Sequence, residues 1–132
     1  MLTSGILNPQ MAKVFAETGH MDTIVVSDAG LPMPIGVERI DLAWKANEPA
    51  YLNVLSEVLA HIVVEKAILA DEIKQVSPEF HTQILKILPK AITIEYVPHV
   101  QLKEQTKSAR AIIRTGEFTP YPSIILVAGC AY

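Results

Sequence analysis

The sequence predicts an α/β fold: a single domain over residues 1–132, three-layered, with a mostly parallel six-stranded sheet and helices on both faces. Three observations carry this expectation. Short apolar runs alternate with segments of helical period along the whole chain. Proline and glycine stand as isolated punctuation, with no linker, repeat or low-complexity stretch. The length is that of one domain, and half of the residues are apolar.

In order along the chain, Asn8-Pro9 opens the first helix, because asparagine caps and proline suits the first helical position. Met11, Ala12, Phe15 and Ala16 fall on one face, and Gly19 is placed to stop it in a left-handed turn. Ile24 to Asp28 reads as a buried strand ending in a carboxylate, Ala29 to Gly36 as a loop, and Val37 to Leu42 as a second strand. Pro49 opens a long helix with Leu52, Leu55, Leu59 and Ile62 on its apolar face. Lys66 to Ala70 is a third strand. Ser77-Pro78 repeats the cap-then-proline start, and Phe80, Ile84, Ile87 and Leu88 keep helical spacing until Pro89. Ile92 to Val97 is a fourth strand, followed by a short helix from about His99 to Thr106. Ala111 to Thr115 and Ile124 to Ala128 are the last two strands, joined by the loop Gly116 to Pro122. With no helix between them, they are expected to pair antiparallel.

Charge narrows the partners. Only 19% of residues are charged, the formal net charge is −3, and the eleven Lys and Arg are scattered, so no basic stripe would follow a phosphate backbone. The longest apolar run, Ile124 to Tyr132, is shorter than the ~20 residues that span a bilayer. The N-terminus lacks the basic start of a signal peptide, and a lone cysteine, Cys130, makes no internal disulfide; a cytoplasmic protein is the expectation. The shortage of charge for so small a domain points to buried subunit interfaces.

In α/β sheets, ligands sit beyond the carboxyl ends of the strands. That rule picks out Asp28, Asp71, Glu72, His99, Thr115, Gly116 and Glu117, with His20 at the entrance to the first strand. Each has a plainer reading beside it. His20 follows a helix whose dipole favours an imidazole, Asp28 suits a turn, and His99 and Lys103, four apart, could share a solvated helix face. Tyr121 stands between Pro120 and Pro122, which would hold its ring in one pose, either for stacking on a sugar or for packing against a neighbouring subunit. No GxGxxG, Walker loop, GxSxG or HExxH is present, and the histidine spacing fits no zinc pattern. The inventory holds acids, bases and hydrogen-bond donors, but no activated nucleophile and no phosphate cradle. It suits proton transfer on a neutral polyol.

Taken in order, Gly5-Ile6-Leu7-Asn8, Gly19-His20-x-Asp22, Asp28-Ala29-Gly30-Leu31-Pro32-x-Pro34, Arg39-Ile40-Asp41-Leu42, Asp71-Glu72-Ile73-Lys74 and Ile113-Arg114-Thr115-Gly116-Glu117-Phe118-Thr119-Pro120-Tyr121 make a specific pattern. The chain resembles the D-ribose pyranase family, nearly end to end. The resemblance implies interconversion of β-D-ribopyranose and β-D-ribofuranose, supplying furanose for ribose catabolism without metal or organic cofactor. It implies His20 as the catalytic acid, and contacts to the sugar from Asp28, His99, Lys103 and the segment Tyr121 to Ser123. It also implies homo-oligomeric rings, commonly decamers of two pentamers, with sites between neighbours and the tyrosine segment supplied by the adjacent chain. Ser123 departs from the family's usual asparagine, exchanging an amide for a single hydroxyl. Two other readings stay open: a mutarotase of another sugar such as fucose, and a sugar-binding accessory protein of ribose uptake without turnover.

Overall fold

Runs of β-branched residues form the middle of the sheet in the computed structural model, which describes residues 1–132. The strands are β1 (Thr23–Ser27), β2 (Glu38–Asp41), β3 (Val64–Ala70), β4 (Thr93–Val97), β5 (Ala111–Arg114) and β6 (Ile124–Ala128), in the order β2-β5-β1-β6-β3-β4. Strands β1 and β6, which carry Ile24-Val25-Val26 and Ile124-Ile125-Leu126-Val127, are central and buried on both faces. The charged sequences Glu-Arg-Ile-Asp of β2 and Thr-Ile-Glu-Tyr-Val of β4 lie at the two edges, where water can reach them.

The pairs β2–β5, β5–β1 and β3–β4 are parallel, as expected for most of the sheet. Strand β6 runs antiparallel, but not beside β5. It pairs with β1 on one side and β3 on the other. Both edges of β5 are already taken by β1 and β2, and the segment between β5 and β6 is long enough to cross over the end of β1. The same placement buries the C-terminal strand β6. Its apolar run is spent inside the chain, and none of its five residues is more than 8% exposed.

Helices α1 (Pro9–Glu17), α2 (Tyr51–His61), α3 (Ile73–Val76) and α4 (Pro78–Ile87) cover one face, and α5 (His99–Thr106) covers the other. Alternate strand residues feed the two cores. Ile24, Val26, Leu69, Ile113 and Leu126 meet Val14, Leu55, Val58 and Ile84 on one side. Val25, Ile68, Ile112 and Ile125 meet Leu31 and Leu102 on the other. Each fully buried Leu or Ile stabilises the fold by about 1.5–3 kcal/mol. No helix is long and apolar enough to cross a membrane.

The helix starts differ in instructive ways. Asn8 caps α1 as expected, its Oδ1 accepting from the Met11 amide at 2.9 Å. The buried face of α1 is Met11 and Val14 with Phe15 beside them, while Ala12 and Ala16 are exposed. The helix ends at Thr18, and the left-handed residue is Met21 (φ 71°), not Gly19. Helix α2 begins at Tyr51, after a cis Glu48–Pro49 bond, and buries Tyr51, Val54, Leu55 and Val58. Ser77 does not cap α4; its hydroxyl donates to the Pro120 carbonyl at 2.9 Å and ties the helix start to the loop before β6.

Candidate functional site

Strand β1 delivers the chain to Asp28, and the segment after β5 locks it there. The Thr115 amide and hydroxyl both donate to the Ser27 carbonyl, at 3.0 and 2.7 Å, and the Ala29 amide donates to the Glu117 carbonyl at 2.9 Å. The Arg114 Nε donates to the Ala29 carbonyl at 3.0 Å, while its Nη1 reaches both oxygens of Asp41 at 3.1 Å. Asp28 itself accepts from the Gly30 amide through Oδ1 (2.8 Å) and from the Ser123 hydroxyl through Oδ2 (2.8 Å). The same Ser123 oxygen accepts from the Asp28 amide at 3.1 Å. Each carboxylate oxygen keeps lone-pair capacity for a further donor.

The Asp28 and Glu117 segments form two walls of a cleft of about 540 Å³ whose lining includes Asp28, Arg114, Glu117, His99 and Tyr121. That size falls in the range of small-molecule sites. His99 comes from the first turn of α5. Pro98 offers no side-chain cap, and the Glu72 carboxylate accepts from the His99 amide instead, at 3.1 and 3.0 Å to its two oxygens. A carboxylate at that position also complements the helix dipole. Tyr121 sits in the left-handed region (φ 66°), a strained conformation for a bulky residue that its proline neighbours and the Ser77 bond hold in place. Its ring meets His99 edge-on, centroids 5.1 Å apart at 84°. Burial, and then the Lys103 ammonium one turn along the helix, push the His99 imidazole below its ordinary value of 6.5. His99 is therefore neutral at pH 7, with one ring nitrogen a donor and the other an acceptor, and its buried Nδ1 meets no hydrogen-bond partner.

The floor of the site contains residues whose roles were not assigned from sequence. Glu117 is nearly buried; its Oε2 accepts from the Tyr51 amide at 3.2 Å, which caps α2, and its Oε1 accepts from the Thr119 hydroxyl at 2.8 Å. Burial, reinforced by the Asp28 and Glu117 charges, raises the Tyr51 phenol well above its ordinary value, so it stays protonated. Glu72 and Glu117 follow strands β3 and β5, where ligands gather, but nothing in the sequence says which distant amide a carboxylate will meet. Arg114 and Tyr51 carried no signal of their own.

One chain thus unites Asp28, His99, Tyr121 and Ser123. Ser123 is buried behind Asp28 and does not line the cleft; its hydroxyl is committed to Asp28 in both directions. Ser123→Ala is expected to lower stability by about 1–3 kcal/mol, the cost of stranding those partners. The midpoint of urea denaturation measures it, and an unchanged midpoint would show that the hydroxyl holds nothing. Lys103 stands beside His99 but borders a neighbouring depression with Pro32 and Met33.

His20 lies elsewhere. It occupies the turn before β1, at the other end of the sheet, and the five residues of β1 (~17 Å of strand) separate it from Asp28. The Met21 amide donates to the Ala128 carbonyl and the Ala128 amide to the Asp22 carbonyl, both at 2.9 Å, stitching this turn to β6. The Gly19 amide, helped by the Arg110 guanidinium, holds the Asp22 carboxyl below its ordinary value. The tyrosine segment is therefore not divided from Asp28 and His99; the residue that stands apart from all three is His20. No three His, Cys, Asp or Glu side chains gather as a metal-binding group.

A carboxylate, a neutral imidazole and a fixed aromatic ring around one open cleft are groups able to hold a small polyhydroxylated molecule. A model of the RbsD / FucU transport protein family matches residues 1–131. The chain belongs to that family. It is 48% identical to the D-ribose pyranase of Streptococcus uberis over 98% of both chains, and 48% identical to that of Bacillus cereus over the full length of both. The solved structure of Bacillus subtilis RbsD complexed with D-ribose superposes with a TM-score of 0.95 at 44% identity, covering all of each chain. The fucose mutarotase of Streptococcus pneumoniae, in complex with L-fucose, shares the fold at a TM-score of 0.79 and 24% identity, over 99% of this chain and 100% of that one. The RbsD / FucU fold thus accounts for the whole sheet, including the central antiparallel β6.

Proposed function

We propose that this protein is a D-ribose pyranase, an isomerase that interconverts β-D-ribopyranose and β-D-ribofuranose and so supplies furanose for ribose catabolism in the cytoplasm. The observation that carries this reading is the likeness to D-ribose pyranases along the whole chain at 48% identity, against 24% for the fucose mutarotase.

The chemistry is a proton exchange around an opened ring. A proton reaches the ring oxygen O5 while the anomeric hydroxyl loses one; the C1–O5 bond breaks and C1 becomes an aldehyde. After rotation, the O4 hydroxyl adds to C1, its proton leaves, and the carbonyl oxygen takes one up. His20 is the group that gives and takes these protons, since an imidazole does both near neutral pH. Asp28 accepts from the sugar hydroxyls, His99 and Lys103 donate to them, and Tyr121 covers the ring. Ser123 acts through Asp28.

His20 and Asp28 stand at opposite ends of β1, so one chain cannot bring both to one sugar. The reading therefore includes a head-to-tail assembly, His20 of one copy closing the cleft of the next. Such contacts close into rings, and a decamer of two pentamers is the assembly we expect. Saturation-transfer NMR on D-ribose tests the function. Pyranose–furanose exchange should accelerate on adding protein, and exchange of L-fucose anomers should respond far less. Ribose binding without faster exchange would favour an accessory sugar-binding role instead.

A further inference from the structure

Strand β3 carries an irregularity in its pairing with β6. Along the β3–β6 ladder, Val64 pairs with Ala128 but Lys66 pairs with Val127, so Glu65 is an extra residue with no partner of its own. This is a β-bulge, a device that re-aims side chains and recurs beside active sites. Its effect can be read from the faces. Val64, Ala67 and Leu69 all point into the helix-covered core, although a regular strand would put Val64 opposite the other two. Without the bulge, Glu65 would share the face of Ala67 and Leu69 and bury its carboxylate. With it, Glu65 is exposed and its Oε2 lies 3.1 Å from the His20 Nε2.

A further feature serves the same contact. Ala128, the residue to which the His20 turn is stitched, is also the partner of Val64. One backbone position therefore sets both members of the pair.

The geometry points to Glu65 as the positioning residue of the proton-transferring imidazole: its bulged carboxylate holds His20 through Nε2, leaving Nδ1 to exchange the proton with the sugar. This rests on the reading of His20 as the acid. A carboxylate only accepts, so Nε2 must carry hydrogen, and the neutral ring is fixed as the Nε2–H tautomer with its lone pair at Nδ1. In the protonated ring, the Nδ1 proton passes to O5 as the C1–O5 bond breaks and the emptied Nδ1 takes the anomeric O1 proton; on closure Nδ1 returns a proton to the carbonyl oxygen and takes the one that leaves O4, so the ring ends protonated as it began. No step passes a proton to Glu65.

The test uses the full-length protein in its own assembly, with ribose exchange kinetics and 15N NMR of the histidine rings. Glu65→Ala is expected to lower kcat about tenfold, with KM for ribose little changed, because a loosened group loses orientation rather than affinity. Its His20 15N signals should report a mixture of tautomers. Glu65→Gln keeps an acceptor oxygen and should restore the Nε2–H tautomer and part of the rate. A wild-type kcat in Glu65→Ala overturns the proposal. So does a loss carried by KM, by a dissociated assembly, or without any change in the His20 signals. If His20→Ala itself retains the wild-type rate, it is the reading of His20 that has failed.

Discussion

Replacing His20 with alanine is expected to slow ribopyranose–ribofuranose exchange by ~10²–10⁴-fold, the usual worth of a positioned acid–base group. The fold should not notice. The side chain is half exposed, and its one hydrogen bond, to Glu65, joins two solvent-facing groups whose net worth to stability is at most about 1 kcal/mol. Thermal denaturation should therefore superimpose on wild type while exchange NMR shows the loss. Full exchange in the variant would remove His20 from the mechanism. The separation of His20 from Asp28 adds a sharper form of the test. His20→Ala and Asp28→Ala chains, each inactive alone, are expected to regain about a quarter of wild-type activity when refolded together in equal amounts, because a head-to-tail ring then contains some sites with both intact residues. A mixture that stays inactive would argue against a site divided between neighbours.

Gly116→Ala is expected to be the most destabilising single methyl that can be added near the cleft, at about 3 kcal/mol or more. The reason is space, not backbone freedom. A Cβ at this position would lie 2.4 Å from the Glu48 carbonyl oxygen and 2.5 and 2.6 Å from its amide nitrogen and carbonyl carbon, all main-chain atoms with no rotamer to give way. The approach is held from both sides: the Gly116 amide donates to the Pro49 carbonyl at 3.0 Å, and the Asn47 amide donates to the Gly116 carbonyl at 2.6 Å. Separating these segments would also pull Glu117 from the Tyr51 amide and shift the wall of the cleft. Urea denaturation should show a markedly lower midpoint, and ribose binding should weaken with it. A midpoint within experimental error of wild type would mean that the two loops part easily.

Much of this architecture is legible from local patterns. Asn8-Pro9 caps its helix as read, and the spacing of Phe80, Ile84, Ile87 and Leu88 finds the core face of α4. Val25-Val26 and Ile124 to Ala128 are strands where the apolar runs place them. What a local pattern lacks is partner information. Ile124 to Ala128 reads as a strand whichever neighbour it takes, so its insertion between β1 and β3 was out of reach. The short α3 was missed because four residues are too few to show a period. The site divides in the same way. Strand ends located Asp28, His99 and Glu117, since chain direction alone decides which loops converge. That Ser77 bonds the Pro120 carbonyl instead of capping α4, or that Ser123 turns inward to Asp28, depends on contacts across 43 and 95 residues of chain. The bulge at Glu65 is silent in sequence because a single extra residue leaves the run Val63 to Ala70 looking like any other strand.

The central place of β6 bears on how the chain reaches its native state. Before β6 is added, the sheet consists of two separate parallel pieces, β2-β5-β1 and β3-β4, which share no ladder. The strand that joins them follows both in the order of synthesis. A ribosome-bound chain still lacking it has two half-sheets with apolar edges open at β1 and β3, and the native β1–β6 ladder must join Thr23 to Val127, the kind of non-local closure that is slow. The last strand works as a seam, and both halves wait for it.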